Sequence, residues 1–121
     1  MKRIKFKVPL YNYSITVVHI ESNKDKGELI KEFKKLGVPN ELYKDSIEYV
    51  EKDYMNGGDT YRNMLNKRFL VIIYLCESEN IRREIIGHEK RHVEDRILEH
   101  VGVKDLEASA YLAGYLSQYM Y

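Results

Sequence analysis

Polar and apolar residues alternate along the first part of the chain, a pattern typical of half-buried β-strands. Residues 3–8 and 13–20 both follow it, and Pro9 and Asn12 between them are common turn residues. We therefore predict two strands joined as a hairpin. The polar positions of the first strand are basic, and we interpret them as one solvated face of a sheet rather than as a basic arm.

Helical spacing replaces this alternation in the next segment. Apolar residues three and four positions apart predict a short helix that ends at Gly37, and Pro39 can open a second helix. We expect a loop at residues 56–59 and a strand at residues 68–75, where β-branched and aromatic residues dominate. The predicted apolar faces of the two helices are Leu29, Ile30, Phe33 and Leu36, then Tyr43, Ile47, Val50 and Tyr54.

Two further helices are predicted in the last part of the chain. Residues 81–101 keep helical spacing, with Ser78 or Asn80 as the N-cap and Gly102 as the stop signal. The last helix runs from about residue 105 to residue 119. Its predicted apolar face is Leu106, Ala108, Tyr111, Leu112, Tyr115, Leu116 and Tyr119.

Residues 88–92 read HEKRH, an HExxH motif within the longer of these helices. One helical turn separates His88 from His92, so both imidazoles lie on one face, at the spacing that a single Zn²⁺ requires. Glu89 lies beside them, where a general base for activating water is needed. The alternative is a pair of histidines at the edge of the core, hydrogen-bonded to nearby carboxylates.

A zinc site of this kind needs a third protein ligand. His100 is unsuitable because, on a straight helix, it lies ~12 Å along the axis from His92 and ~80° around it. The metzincin pattern would place a histidine where this chain has Leu98, so that class is excluded. We predict Glu107, in the first turn of the last helix, with Asp105 as the second choice. The alternative is a first-turn acid that only favours the helix dipole.

The segment HEKRHVEDRILEHVGVKDLEASAYLAGYL resembles the gluzincin branch of the zincin metallopeptidases. It is similar above all to small zincin-like proteins of bacteriophages and conjugative elements, over about the last fifty residues. The resemblance implies that His88, His92 and Glu107 bind Zn²⁺. It also implies that metal-activated water attacks a peptide or amide carbonyl, with Glu89 as the general base.

Three other predictions concern the surroundings of this motif. Tyr111 lies one turn beyond Glu107 and is our candidate for stabilising the oxyanion, with an ordinary core aromatic as the alternative. The resemblance implies that an edge strand beside the motif helix holds a peptide by strand addition. Gly57, Gly58 and residues 60–65 could supply that edge or a mobile rim. His19 is interpreted as a half-buried strand residue rather than as a ligand.

A small N-terminal sheet followed by paired helices predicts an α+β fold, a minimal zincin-like domain that spans residues 1–121. Acidic and basic residues are intermixed and the formal net charge is +1, so we expect no nucleic-acid partner. No stretch approaches the ~20 apolar residues of a membrane span, and no secretory signal is recognised. The single cysteine, Cys76, fits a reducing compartment, and we expect a cytoplasmic location.

These observations favour a zinc-dependent metallopeptidase or related hydrolase that acts on a peptide or protein. One alternative is a catalytically silent, zincin-like binding or regulatory protein of a mobile element. Another is a metal-free interaction module whose tyrosine-rich C-terminal helix docks a partner. An intact Glu89 favours the hydrolase over the silent protein, because a purely structural metal site needs ligands but no base.

Overall fold

The computed structural model describes residues 1–9, 11–102 and 106–121, and the side chains of residues 106 and 107 lie outside the described part. The described chain contains four strands and four helices. In chain order they are β1 (Lys2–Val8), β2 (Tyr13–His19), α1 (Lys26–Leu36), α2 (Lys44–Glu51), β3 (Gly58–Asn63), β4 (Arg68–Ile73), α3 (Glu79–Val101) and α4 (Leu106–Met120).

The four strands form one mixed sheet in the order β1-β2-β4-β3. β1 and β2 pair as the predicted antiparallel hairpin, and β3 and β4 form a second antiparallel pair. The two pairs meet in the centre of the sheet, where β2 and β4 run parallel. β3 is therefore an edge strand, and the chain between β2 and β3 carries α1 and α2. The predicted α+β fold is confirmed.

Helices cover both faces of the sheet, and each face has its own core. On one face, alternate residues of β2 and β4 such as Ile15 and Val71 pack with α3 and α4. On the other face, the intervening residues such as Val18 and Ile72 pack with α1 and α2. Burial on both faces explains why β4 reads as a continuous apolar run instead of alternating.

Two predictions in the first half are corrected. The segment after Pro39 begins with a 3₁₀ turn at Asn40–Leu42, and α2 starts only at Lys44 and ends before Tyr54. The predicted loop at residues 56–59 is wrong over its second half, because Gly58 already pairs with β4. Glycine and aspartate are poor strand formers by themselves, and pairing with a buried neighbouring strand outweighs that preference here.

Local signals fix the ends of α3 close to the predicted positions. The Ser78 hydroxyl accepts a hydrogen bond from the Ile81 amide at 3.2 Å, so Ser78 is the N-cap and Asn80 lies inside the helix. Gly102 ends the helix in the left-handed conformation at φ 73°. His100 lies in the last turn as predicted, and its Nδ1 shares a hydrogen bond with the hydroxyl of the buried Tyr13.

The apolar face of α4 differs in part from the predicted one. Leu112, Leu116 and Met120 are fully buried, whereas Tyr111 and Tyr119 are 44% and 40% exposed. Tyr111, Tyr115 and Tyr119 form a row along this helix, and the last two pack against Phe6 of β1. The residues proposed as the N-terminal boundary of this helix, including Asp105, lie outside the described residues. None of the described helices is long and apolar enough to span a membrane.

His19, at the end of β2, is buried more deeply than predicted, with only 6% of its surface exposed. Arg82 Nη1 lies 3.2 Å from its Nδ1 and can only donate, so this nitrogen acts as the acceptor of a neutral imidazole. Burial lowers the pKa of His19 below its ordinary 6.5, and the positive charges of Arg82 and Lys2 lower it further against the opposing charges of Glu79 and Glu21.

This depressed pKa predicts that the fold loses stability in mild acid. The unfolded chain binds a proton at His19 near pH 6.5, whereas the folded protein resists it. His19 therefore does not reduce the free energy of unfolding above pH 6.5, and this free energy declines as the pH falls below that value. Urea unfolding at pH 7, 6 and 5 in the presence of a chelator should show a smaller decline for His19→Asn, which keeps an acceptor. Equal declines in both proteins would contradict this assignment.

Candidate metal centre

α3 brings the two motif histidines together at the protein surface. The Nε2 atoms of His88 and His92 are 3.1 Å apart, and their rings are nearly perpendicular, at 88°. The side chain of His88 is 70% exposed. Both histidines are solvent-accessible, so an ion could reach them without rearrangement of the fold.

The spacing of the two histidines suits a zinc ion. In a tetrahedral site with Zn–N bonds of ~2.0–2.1 Å, two ligand nitrogens lie about 3.3 Å apart. The 3.1 Å separation of His88 and His92 is close to that value. One donor atom from each of His88, Glu89 and His92 lies within 4.8 Å of the other two. Imidazole nitrogens are ligands that zinc accepts, and Glu89 Oε2, at 3.9 Å from His88 Nε2, lies beyond the ligand separation of a tetrahedral site.

The Glu89 side chain is buried and fixed in orientation by β3. Only 3% of its surface is exposed, and the Thr60 hydroxyl donates a hydrogen bond of 2.8 Å to its Oε1. Its other oxygen, Oε2, lies 3.9 Å from His88 Nε2. One carboxylate oxygen is thus held by the sheet, while the other is directed towards the histidines. A buried carboxylate needs such a partner because desolvation is costly.

A close approach between β3 and α3 makes this contact possible. A Cβ atom at Gly58 would lie 2.9 Å from Ile85 Cγ2, 3.0 Å from Glu89 Cγ and 3.0 Å from the Ile72 carbonyl oxygen. The last of these atoms belongs to the backbone of β4 and cannot move by a simple change of rotamer. Gly58 is therefore the position at which the edge strand can lie close against the motif helix.

Gly58→Ala is expected to destabilise the protein by about 1–3 kcal/mol, because an added methyl group would overpack this contact. Gly27→Ala is the matched control, since a Cβ at Gly27 meets nothing within 4 Å and the residue lies in α1. We expect the control to stabilise by about 0.5–1 kcal/mol through the lower entropy of the unfolded chain. Urea unfolding of both variants measures the two effects. Equal stabilities for both would show that β3 and α3 are not in tight contact.

Two shallow cavities of ≈330 and ≈370 Å³ meet at the motif, and His88 and Glu89 line both. Tyr54 and Ile85 give the first cavity an apolar side. The second cavity extends along β3 and α3 to two arginines. Gly57 and Gly58 also line the first cavity, and Thr60, Arg62, His92 and Arg96 line the second.

The side chain of Glu107, the predicted third ligand, lies outside the described residues. Tyr121, which follows α4, lies against the α3 flank that carries Gly87 and Arg83. None of the described α4 residues lines the two cavities at the motif, and Tyr111 is among those that do not.

Three features around the motif were not predicted from the sequence. Thr60 was considered only as part of an edge strand or a mobile rim, and nothing in the sequence signals that a threonine 29 positions earlier holds Glu89. Lys90 forms a 2.8 Å ion pair with Glu94, and both side chains are largely buried. Arg96 lines the second cavity.

No protein-family model matches the chain, and no curated protein or solved structure matches it either. The resemblance to zincins therefore stays a prediction that depends on residues 88–92 and the helix after them. The geometry of His88, Glu89 and His92 is an observation independent of that resemblance.

Proposed function

We propose that the protein is a metal-dependent hydrolase that cleaves a peptide or amide bond, with Zn²⁺ as its cofactor. The observation that carries this proposal is the pair of exposed histidine nitrogens 3.1 Å apart beside a buried, oriented carboxylate. Zinc bound there supplies a Lewis acid and lowers the pKa of a coordinated water molecule towards neutrality.

Each residue of the motif has a distinct task in this proposal. His88 and His92 hold the ion through Nε2, and Glu107 is the proposed third protein ligand. Glu89 accepts a proton from the attacking water and passes it to the leaving amine. The hydrogen bond from Thr60 keeps one Glu89 oxygen away from the reacting centre, so that the other oxygen faces it. Thr60 is therefore a positioning residue.

The edge strand β3 supports a peptide substrate over a small amide. β3 lies at the edge of the sheet beside the motif, and its outer backbone groups could pair with an extended chain. Such a chain would run past Glu89 between the two cavities. Its apolar side chains would fit against Tyr54 and Ile85, and acidic groups would lie near Arg62 and Arg96. The cavities are shallow, so we expect modest sequence selectivity.

The position of Thr60 favours this proposal over a catalytically silent zincin-like scaffold. A site that only binds metal needs its ligands held in place, but it needs no proton acceptor in a fixed orientation beside them. Here the sheet provides a hydroxyl donor for Glu89, whereas the exposed histidines have no comparable contact with β3 among the described residues. The sheet thus fixes the orientation of the proposed base, Glu89.

Metal analysis combined with a peptide digest tests the proposal. The purified full chain should contain about one zinc per chain, and it should cleave members of a mixed peptide library detected by mass spectrometry. Chelation should stop cleavage, and added zinc should restore it. Protein that takes up no zinc would rule out the metal site. Protein that binds zinc but leaves every peptide and unfolded protein intact would favour the silent scaffold.

A further inference from the structure

A cavity of ≈490 Å³ lies apart from the motif. It lies on the face of the sheet that packs against α1. Lys5 and Lys7 line it from β1, Ser14 and Thr16 from β2, and Arg68 from β4. None of the described helices covers this part of the face, because α1 ends at Leu36. Leu36 and the buried Leu70 form one side of the cavity.

The charges around this cavity are strongly biased towards one sign. The whole chain has 20 basic and 19 acidic residues, yet the cavity is lined by four basic side chains and one acidic one. The four are Lys5, Lys7, Lys35 and Arg68. The single acid, Glu32, is already compensated by Arg3, whose Nη2 lies 2.7 Å from Glu32 Oε1. Four basic side chains around one concave surface create a positive potential that attracts anions.

Several of its polar groups are held in place. Arg68 donates from Nη1 to the Lys35 carbonyl oxygen at 3.0 Å, which fixes the guanidinium at the end of α1. Lys35 Nζ lies 3.5 Å from Glu32 Oε1, and Glu32 is only 3% exposed. Between these cations, the half-buried hydroxyls of Ser14 and Thr16 are available as donors. The cavity thus combines fixed positive charge with neutral hydrogen-bond donors.

We propose that the basic cavity binds a compact phosphate ester of about nucleotide size. Its volume lies within the range of small-molecule sites. The cations come from three separate elements and surround one cavity instead of lining an extended track, which suits a concentrated charge. Phosphate groups accept several charge-assisted hydrogen bonds at once, and arginine binds them in a bidentate geometry. This inference does not depend on the proposed hydrolase activity.

Calorimetric titration with ATP tests the proposal on the full chain. A chelator is included, so that the triphosphate cannot bind through a metal ion at the histidines. We expect saturable binding of one ATP per chain, weaker binding of AMP and none of adenosine. Lys5→Gln combined with Arg68→Gln should weaken ATP binding at least about tenfold. Circular dichroism is used to check that the variant is folded. Arg68→Lys with Lys5 intact should weaken ATP binding less than the double substitution does, because lysine keeps the charge but not the bidentate donor geometry.

The matched control removes two charges that do not line the cavity. Lys31 and Lys34 are exposed residues of the same helix as Lys35, and Lys31→Gln combined with Lys34→Gln should change the affinity less than about twofold. Equal weakening by both pairs would mean that ATP is attracted only by general charge, and it would overturn the proposal. Absence of saturable ATP binding would overturn it as well. A single-stranded oligonucleotide or a polyglutamate peptide that displaces ATP at lower concentration would show an extended polyanion surface instead.

Discussion

Glu89→Gln is expected to leave zinc bound and to reduce peptide hydrolysis by about 10²–10⁴-fold. Glutamine keeps the shape of the side chain and can still accept the hydrogen bond from Thr60, but it cannot take a proton from water. The fold should be little affected, because the change removes a buried charge without creating a cavity. The effect should therefore appear in kcat, with zinc content and the urea unfolding midpoint close to those of the parent protein.

Asp95→Asn is the matched control for this experiment. Asp95 lies on the exposed side of the same helix, and the same loss of one negative charge there should leave hydrolysis within about twofold of the parent. If Glu89→Gln retained full hydrolysis with zinc bound, Glu89 would not be the base. If the variant lost zinc together with activity, Glu89 would be a ligand, as its place within the 4.8 Å group permits.

His92→Ala is expected to weaken zinc binding at least about 100-fold, since even supporting residues of metal sites commonly contribute 10–100-fold. The loss should be measured as a dissociation constant by competition with a chelating dye, in the absence of any substrate. His100→Gln is the control on the same helix, because His100 lies in its last turn and contacts Tyr13 instead of the motif. Comparable loss in both variants would indicate unfolding, and no loss in His92→Ala would exclude the proposed centre.

The third ligand is tested in the same assay. Glu107→Gln should weaken zinc binding to an extent similar to His92→Ala, whereas Glu99→Gln, at an exposed position of α3, should not. Unchanged affinity in Glu107→Gln would remove this residue from the site without affecting the roles of His88 and His92. A site with two histidines and one other ligand would then have to be sought among neighbouring acids, beginning with Asp105.

The parts of the fold that local patterns determine were predictable from the sequence. The hairpin β1–β2 follows from alternation, and α3 follows from helical spacing with Ser78 and Gly102 at its ends. The start of β3 was not predicted, because a loop was expected at residues 56–59. The strand begins at Gly58, where local preference favours a turn and only the pairing with β4 imposes an extended chain. The division of α4 into a buried and an exposed side was also inaccurate, because the packing of Tyr115 and Tyr119 beside Phe6 depends on β1.

The candidate site also contains features that the sequence predicts and features that it does not. The i, i+4 spacing of His88 and His92 is a local property, so the sequence placed both histidines correctly on one helix face. The hydrogen bond from Thr60 joins residues far apart in the chain and could not be predicted. The basic cavity could not be predicted either. Acidic and basic residues are intermixed along the sequence, and only the sheet brings Lys5 and Arg68 to one face.

The arrangement of strands also sets the order in which the motif's surroundings can assemble. β3, β4 and α3 are consecutive, so Thr60 can meet Glu89 through short loops with little entropic cost of closure. β4, however, is secured by β2, whose residue Ser14 pairs with Arg68 across a long stretch of intervening chain. Contacts between distant segments form slowly. The groups that would perform chemistry thus lie within one local segment of the chain, whereas the sheet that supports this segment is completed only by pairing with the N-terminal hairpin.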